Sequence, residues 1–452
     1  MSLAEYQQQC LDKLVWATQQ LGVKADPHHL KQVAVLIVET MTGPWRFFHT
    51  PHHIFQVGGY EDPIEVLAAL FHDVVYVQVD QCVHFNLAYH ITPFARLVDN
   101  HLVVREAPDL PQDPLFEMVM ALFDVVPGQT LLPFAGLNEF LSAVVAAKVL
   151  EPLMSPSLIV QIIACIEATI PFQPVSKSGV TATEQLGERL RKLNPTFDLA
   201  LDETLIAATI KRGVRVANRD VGSFGGSSAY FLDNTWSLLP ETNHCLHSPH
   251  AYSIREYRQA LQKMADFMDW LQPGLVFRQF QDEPNDRTYG MLIERARYNL
   301  SVGRLYLRSK LLTIAILEAI SLHMGQNIPL TMLVGTAPTP GRQIARLEDF
   351  LALQDCHYQP QNEIETEVLR LLETGRNQTT AFDIKNSPFA TLLVKSIGFS
   401  EVRRLREPTQ KFFTRELSGD EFLACCDSHV VQAITQALLH LLESRQRVLA
   451  QF

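Results

Sequence analysis

The chain has 452 residues, 47% hydrophobic and 19% charged, an ordinary globular composition long enough for two or three domains with full cores. Its formal net charge of −11 argues against a protein that coats polymeric nucleic acid, because phosphate binding needs a concentrated basic face; a nucleotide in a local basic pocket remains compatible. Seven scattered cysteines without a C-x-x-C pair fit a reducing compartment, and no stretch reaches the roughly 20 uncharged apolar residues needed to cross a bilayer.

The N-terminus, M-S-L-A-E-Y-Q-Q-Q-C, lacks the basic-then-apolar order of a signal peptide. The expectation is a soluble, cytoplasmic protein with no membrane partner. Residues 3–22 carry Leu11, Leu14, Val15, Ala17 and Leu21 at helical spacing, and 28–41 carry Leu30, Val33, Ala34, Ile37 and Val38. The second helix stops at Gly43-Pro44.

The stretch R46-F-F-H-T-P-H-H-I-F, followed by F71-H-D-V-V-Y, brings His49, His53, His72 and Asp73 together within 25 residues. Imidazoles and a carboxylate are ligands for divalent metals, and a His-Asp pair in an apolar run is costly to bury unless it binds something. Thr50 before Pro51 predicts a helix start, with His49 just outside the helix and His53 in its first turn. Asp62-Pro63-Ile64-Glu65 predicts a capping box opening a helix that runs through Val74 and Val75.

Beyond it, helices are predicted over 85–104, 115–125 and 137–150. The run from Leu158 to Ile170 is an apolar helix bearing one acid, Glu167. Ile206, Ile210, Val214, Ala217 and Val221 mark another helix, with Asp220 flanking the stripe. The G222-S-F-G-G-S-S run and a polar loop from Asn234 to His250 suggest a boundary, giving a domain over 1–235 and a helical C-terminal region over 236–452.

That region is strongly helical from 252 to 325, with further helices near 343–353, 362–374, 389–397 and 420–448. G335-T-A-P-T-P-G-R-Q lacks the spacing and lysine of a phosphate loop and reads as a turn. N243-H-C-L-H-S-P-H does not match a structural zinc spacing. Arg295, Arg297, Arg304, Arg308 and Lys310 form a basic helix face, by default solvated. The fold class is therefore all-α.

H49-T-P-H-H-I-F-Q-V and A68-A-L-F-H-D-V-V-Y resemble the HD-domain superfamily of metal-dependent phosphohydrolases, over about residues 25–230. I166-E-A-T-I and V216-A-N-R-D-V resemble that family's last two helices. The resemblance implies an HD-like helical bundle with His53, His72, Asp73 and Asp220 as metal ligands. It also implies His49 as the group that protonates the leaving oxygen, and Arg46 and Asn218 as substrate contacts. Asp124 remains an alternative distal ligand, and His52 stands beside His53.

The implied cofactor is a divalent ion, with Mn, Mg, Zn, Fe, Co and Ni not distinguished. The implied partner is a nucleotide or a small phosphorylated molecule. Two other readings stand beside hydrolysis. One is a non-catalytic sensor or scaffold that uses the C-terminal region for a protein partner or a second copy of itself. The other is a di-iron oxygenase, which would need His84, His90 or His101 as further ligands.

Overall fold

The computed structural model describes residues 1–248, 252–323, 328–334, 346–351, 358–380 and 382–449. Among them are twenty α-helices and a single two-stranded antiparallel sheet, so the protein is all-α. The turn expected over 335–343, and both ends of the helix expected over 343–353, lie outside the described residues; the described part of that helix is a short 3₁₀ turn, Leu347–Phe350. No helix among the described residues is long and apolar enough to cross a membrane. The described cysteines are all free.

The chain divides into two compact units. One is Met1–Gly222 with Pro273–Glu294; the other is Ser223–Gln272 with Arg295–Phe452. Residues 223–235, assigned from sequence to the first region, belong to the second unit. The reason is apolar: Phe231, Leu232 and Trp236 are buried, and Trp236 meets Tyr306 edge-on at 5.4 Å. The expected loop from Asn234 is helical as far as Thr242, within a helix that Ser227 caps at Ser228.

In the first unit the central element is the helix Pro63–Phe71, buried from Ile64 through Phe71. It packs against Leu3–Gln20, Pro51–Gly58, Leu137–Leu150, Pro156–Glu167 and Glu203–Asp220. Asp62 Oδ1 starts it by accepting from the backbone N–H of Ile64 (2.9 Å) and Glu65 (3.3 Å). Glu65 does not complete the box, because its carboxylate is engaged elsewhere (below).

Two close approaches set the packing. A side-chain carbon at Gly58 would lie 3.3 Å from Ala69 Cβ, and one at Gly213 would lie 2.9 Å from Ala168 Cβ. Glycine therefore lets the neighbouring helices come within backbone distance of the centre.

Two sequence expectations fail for local reasons, and one helix was not expected. The predicted helix 85–104 is a short helical turn followed by a hairpin, with Ala95–Val98 paired to His101–Val104. Asp99 and Asn100 both take positive φ (46° and 63°), the backbone that a two-residue hairpin loop requires. The helix expected to run to Val75 ends at Phe71, with His72 as its C-cap. The helix Ala182–Thr196, not predicted, starts at a Thr181–Glu184 capping box.

Candidate metal centre

The four residues reach the centre by three local devices. Pro51 sits in the first turn of the Pro51–Gly58 helix, and Thr50 holds the N-cap position without a side-chain cap bond. His53 is on that helix and buried. His72 and Asp73 follow the end of the central helix, where the chain leaves helical geometry. Asp220 is the last residue of the helix Glu203–Asp220.

That last helix is held in place by three arginines on one face. Arg212 Nε donates to Asp62 Oδ2 (2.8 Å), Arg215 Nε to Glu65 Oε1 (2.6 Å) and Arg219 Nη2 to Glu65 Oε2 (2.6 Å). Glu65 is 3% exposed, while its two arginine partners remain about a third exposed, so a buried carboxylate is held between two half-buried cations. It fixes where Asp220 arrives.

The side chains converge. One ligand atom from each of His53, His72, Asp73 and Asp220 lies within 4.8 Å of every other. Around the ring, His53 Nε2 is 3.0 Å from Asp220 Oδ1 and 3.4 Å from Asp73 Oδ2, while His72 Nε2 is 2.9 Å from Asp73 Oδ2 and 3.5 Å from Asp220 Oδ1. Nitrogen and oxygen alternate.

A divalent ion fits this donor set. Metal–ligand bonds of about 2.0–2.1 Å place neighbouring donors about 2.9–3.4 Å apart, which is the spacing of the ring. His72 Nδ1 lies 2.8 Å from the carbonyl of Ala69, so with the proton on Nδ1 it donates there and Nε2 turns a lone pair to the centre. His72 Nε2 and Asp73 Oδ2 are both enclosed without a hydrogen-bond partner, although they are neighbours. Two lone pairs facing each other at that distance repel unless a cation, metal or proton, lies between them.

The electrostatics agree. Burial pulls His53 down, but hydrogen bonds and charge from Asp220 and Asp73 outweigh it and raise it to about 9. Against the same burial, His72 goes well above its usual value, because the charges of Asp73 and Asp220 outweigh it. Burial would raise Asp220, yet the two imidazoles hold it down to about 2. Asp73 is likewise held well below the usual carboxylate range, against burial, by His72, His49 and His53.

His49 is buried beside the ring and outside it. Its imidazole meets Tyr76 edge-on at 4.2 Å, Phe48 at 4.9 Å and His53 at 5.8 Å between ring centres. Arg46 is not a surface group, nor is it open to a substrate. Its side chain is fully enclosed: Nε and Nη2 pair with Asp80 (3.1 and 2.7 Å), Nη1 donates to Asp73 O (2.7 Å) and Nη2 to Val74 O (3.2 Å). It holds the backbone that carries Asp73.

Asn218, partly exposed, gives Nδ2 to Arg278 O (2.9 Å) and takes Arg278 N–H on Oδ1 (2.8 Å). The remaining candidates stay outside. Asp124 is an exposed, left-handed C-cap of the helix Pro114–Phe123. His52 is exposed and pairs with Gln56 (2.9 Å). His84 accepts from Asn86 N–H (3.3 Å), exposed His101 bonds to Asp99 O (2.9 Å), and His90 is partly exposed. None of these joins the ring.

One residue beside the centre was missed in the sequence. Glu139, near the start of the helix Leu137–Leu150, has Oε2 enclosed and without a partner. Burial, reinforced by the charges of Asp73 and Asp220, raises it to about 7. An acid in an otherwise apolar run is the signal that would have found it.

No family model, curated protein or solved structure matches this chain.

Proposed function

We propose that the protein is a metal-dependent phosphohydrolase acting on a nucleotide or another small phosphoester. The observation that carries the reading is the four-donor ring, whose inward lone pairs match the needs of a divalent ion. The resemblance of the His49–Tyr76 stretch to HD-domain phosphohydrolases supports the same assignment. His53, His72, Asp73 and Asp220 would hold the ion. When bound, such an ion lowers the pKa of a water molecule and polarises a phosphoryl oxygen.

The chain's own residues have separate tasks. Arg46 and the arginine face on Glu65 hold the backbone and the last helix, so that two remote carboxylates meet two imidazoles without reorganisation. His72 is oriented by its bond to Ala69 O. His49, adjacent to the ring and not one of its four donors, would give a proton from an imidazole nitrogen to the departing alkoxide. Phe48 and Tyr76 flank that imidazole.

The test is a panel of phosphomonoesters and phosphodiesters with added Mn, Mg, Co or Ni, comparing wild type with Asp73→Ala and His49→Ala. Asp73→Ala is expected to lose metal and activity together. His49→Ala is expected to keep its metal and lose roughly 10²–10⁴ in rate on the substrates with poor leaving groups. No hydrolysis of any panel member by metal-loaded wild type would count against the enzyme reading and favour a sensor or scaffold.

A further inference from the structure

The segment 273–294 returns to the first unit late in the chain and is tied down at several points. Val276 and Phe277 are buried. The Asn218 amide grips the backbone of Arg278 on both sides, and Arg215 Nη1 pairs with Glu283 Oε2 (2.8 Å). Asn218 is two residues before Asp220, so the anchor of this segment and the end of the ring's last helix are the same piece of structure.

This places the Arg278 guanidinium in the field of Glu167, Glu139 and Asp220. Its Nη2 donates to Ile170 O. Its Nη1 is enclosed and has no hydrogen-bond partner. A purely structural buried arginine closes on a carboxylate, as Arg46 does on Asp80 and Arg258 on Glu318. Arg278 forms no ion pair among the described residues; Glu167 pairs with Arg189 through Oε1, and its Oε2 is enclosed without a partner. A fixed guanidinium with one enclosed, unpaired donor, anchored through Asn218 to the helix that ends at Asp220, is an arrangement that can receive an anionic oxygen.

We infer that Arg278 binds the phosphoryl group of the substrate through Nη1, as the anion-recognising partner of the His53–His72–Asp73–Asp220 centre. The inference rests on the phosphohydrolase reading, and it names a substrate contact on an element outside the stretch that resembles the HD family. The enclosed Arg46 guanidinium is engaged by Asp80 and by backbone carbonyls, and Asn218 holds the Arg278 backbone.

Inorganic phosphate is the probe. It is titrated calorimetrically into the full chain, with and without saturating Mn, for wild type, Arg278→Gln and Arg278→Lys; Mn binding is measured separately on each. Wild type is expected to bind phosphate, and Arg278→Gln to bind it at least about tenfold more weakly with unchanged Mn stoichiometry. Equal affinity in wild type and Arg278→Gln, or no phosphate binding by wild type in either condition, overturns the inference.

If Arg278→Gln does not fold, Arg278→Lys carries the test. It keeps the charge and a donor for Ile170 O but loses the planar fork, so a loss of a few-fold is expected and wild-type affinity overturns the inference. Phosphate binding that depends on Arg278 in a protein that binds no Mn would retain the anion site and sink the metal reading.

Discussion

Each unit contains a buried charged cluster, and the two are built on opposite principles. In the second unit Asp383 Oδ2 is surrounded by donors: Lys310 Nζ at 2.6 Å, Trp236 Nε1 at 2.7 Å and Tyr257 Oη at 2.9 Å. Arg376 adds its charge, lying over the Trp236 ring at 4.4 Å. Against the burial that would raise it, Lys310 and Arg376 hold Asp383 below the usual carboxylate range.

The first unit's ring has two carboxylates and two imidazoles, with no Lys or Arg among its four members. The difference teaches how to read buried charge: one cluster is closed by the protein's own donors, whereas the other, on the reading proposed above, is closed by an ion that it takes up. A buried acid alone signals neither.

The largest expected effect separates them. Asp383→Ala strands Lys310 in the interior and is expected to cost about 3–5 kcal/mol of stability, the same with and without metal. Urea unfolding monitored in Mn and in chelator checks it; a loss that appears only in Mn would erase the contrast between the clusters.

Next is Glu65→Gln, which keeps the shape but removes the charge shared by Arg215 and Arg219. Loss of these charge-assisted bonds is expected to cost roughly 1.5–3 kcal/mol. Because Asp220 arrives on the same helix, metal affinity should fall about 10–100-fold, as for other outer-shell partners. An unchanged Mn affinity in this variant would show that the arginine face does not position Asp220.

The smallest effect is pH dependence. A raised His53 contributes stability that is fully present below its unfolded value near 6.5 and is lost as pH rises through about 9. A depressed Asp220 contributes above its unfolded value near 3.8 and is lost as pH falls through about 2. Metal-free protein should therefore be most stable between about pH 4 and 6.5 and weaken towards pH 9. Added Mn should reverse that alkaline loss, since ligands bind metal only once the competing protons have left. Thermal unfolding across pH 5–9 with Mn or chelator reads this directly, and parallel curves would contradict it.

Much of the centre was legible in the sequence because its parts are local. His49, His53, His72 and Asp73 lie in one short stretch with its own proline and aspartate helix starts, and Asp220 stood out as an acid beside an apolar helical stripe. The elements that make the ring work were not legible. Arg212, Arg215 and Arg219 look like solvated charges until the helix they lie on is laid against Asp62 and Glu65. Arg46 and Asn218 have the chemistry of substrate contacts, and only their three-dimensional neighbours show that they are bonded to the protein's own backbone.

The fold follows the same rule. Helical periodicity exposed the all-α class, but β-branched residues around Asp99-Asn100 fit either period until the positive-φ turn decides for a hairpin. Glu139 lies on a helix and Arg278 on a connecting segment, both remote in sequence from Asp220 yet within its electrostatic reach, and periodicity carries no such information.

The central claim is that the ring holds a divalent ion. The direct measurement is metal content of the protein purified without chelator, by elemental analysis, for wild type and Asp220→Asn in parallel. About one equivalent of a transition-metal or magnesium ion in wild type, lost in Asp220→Asn while the helical circular dichroism is retained, is the predicted result. Wild type that carries no metal and takes up none on dialysis against Mn, Co or Zn would contradict the account.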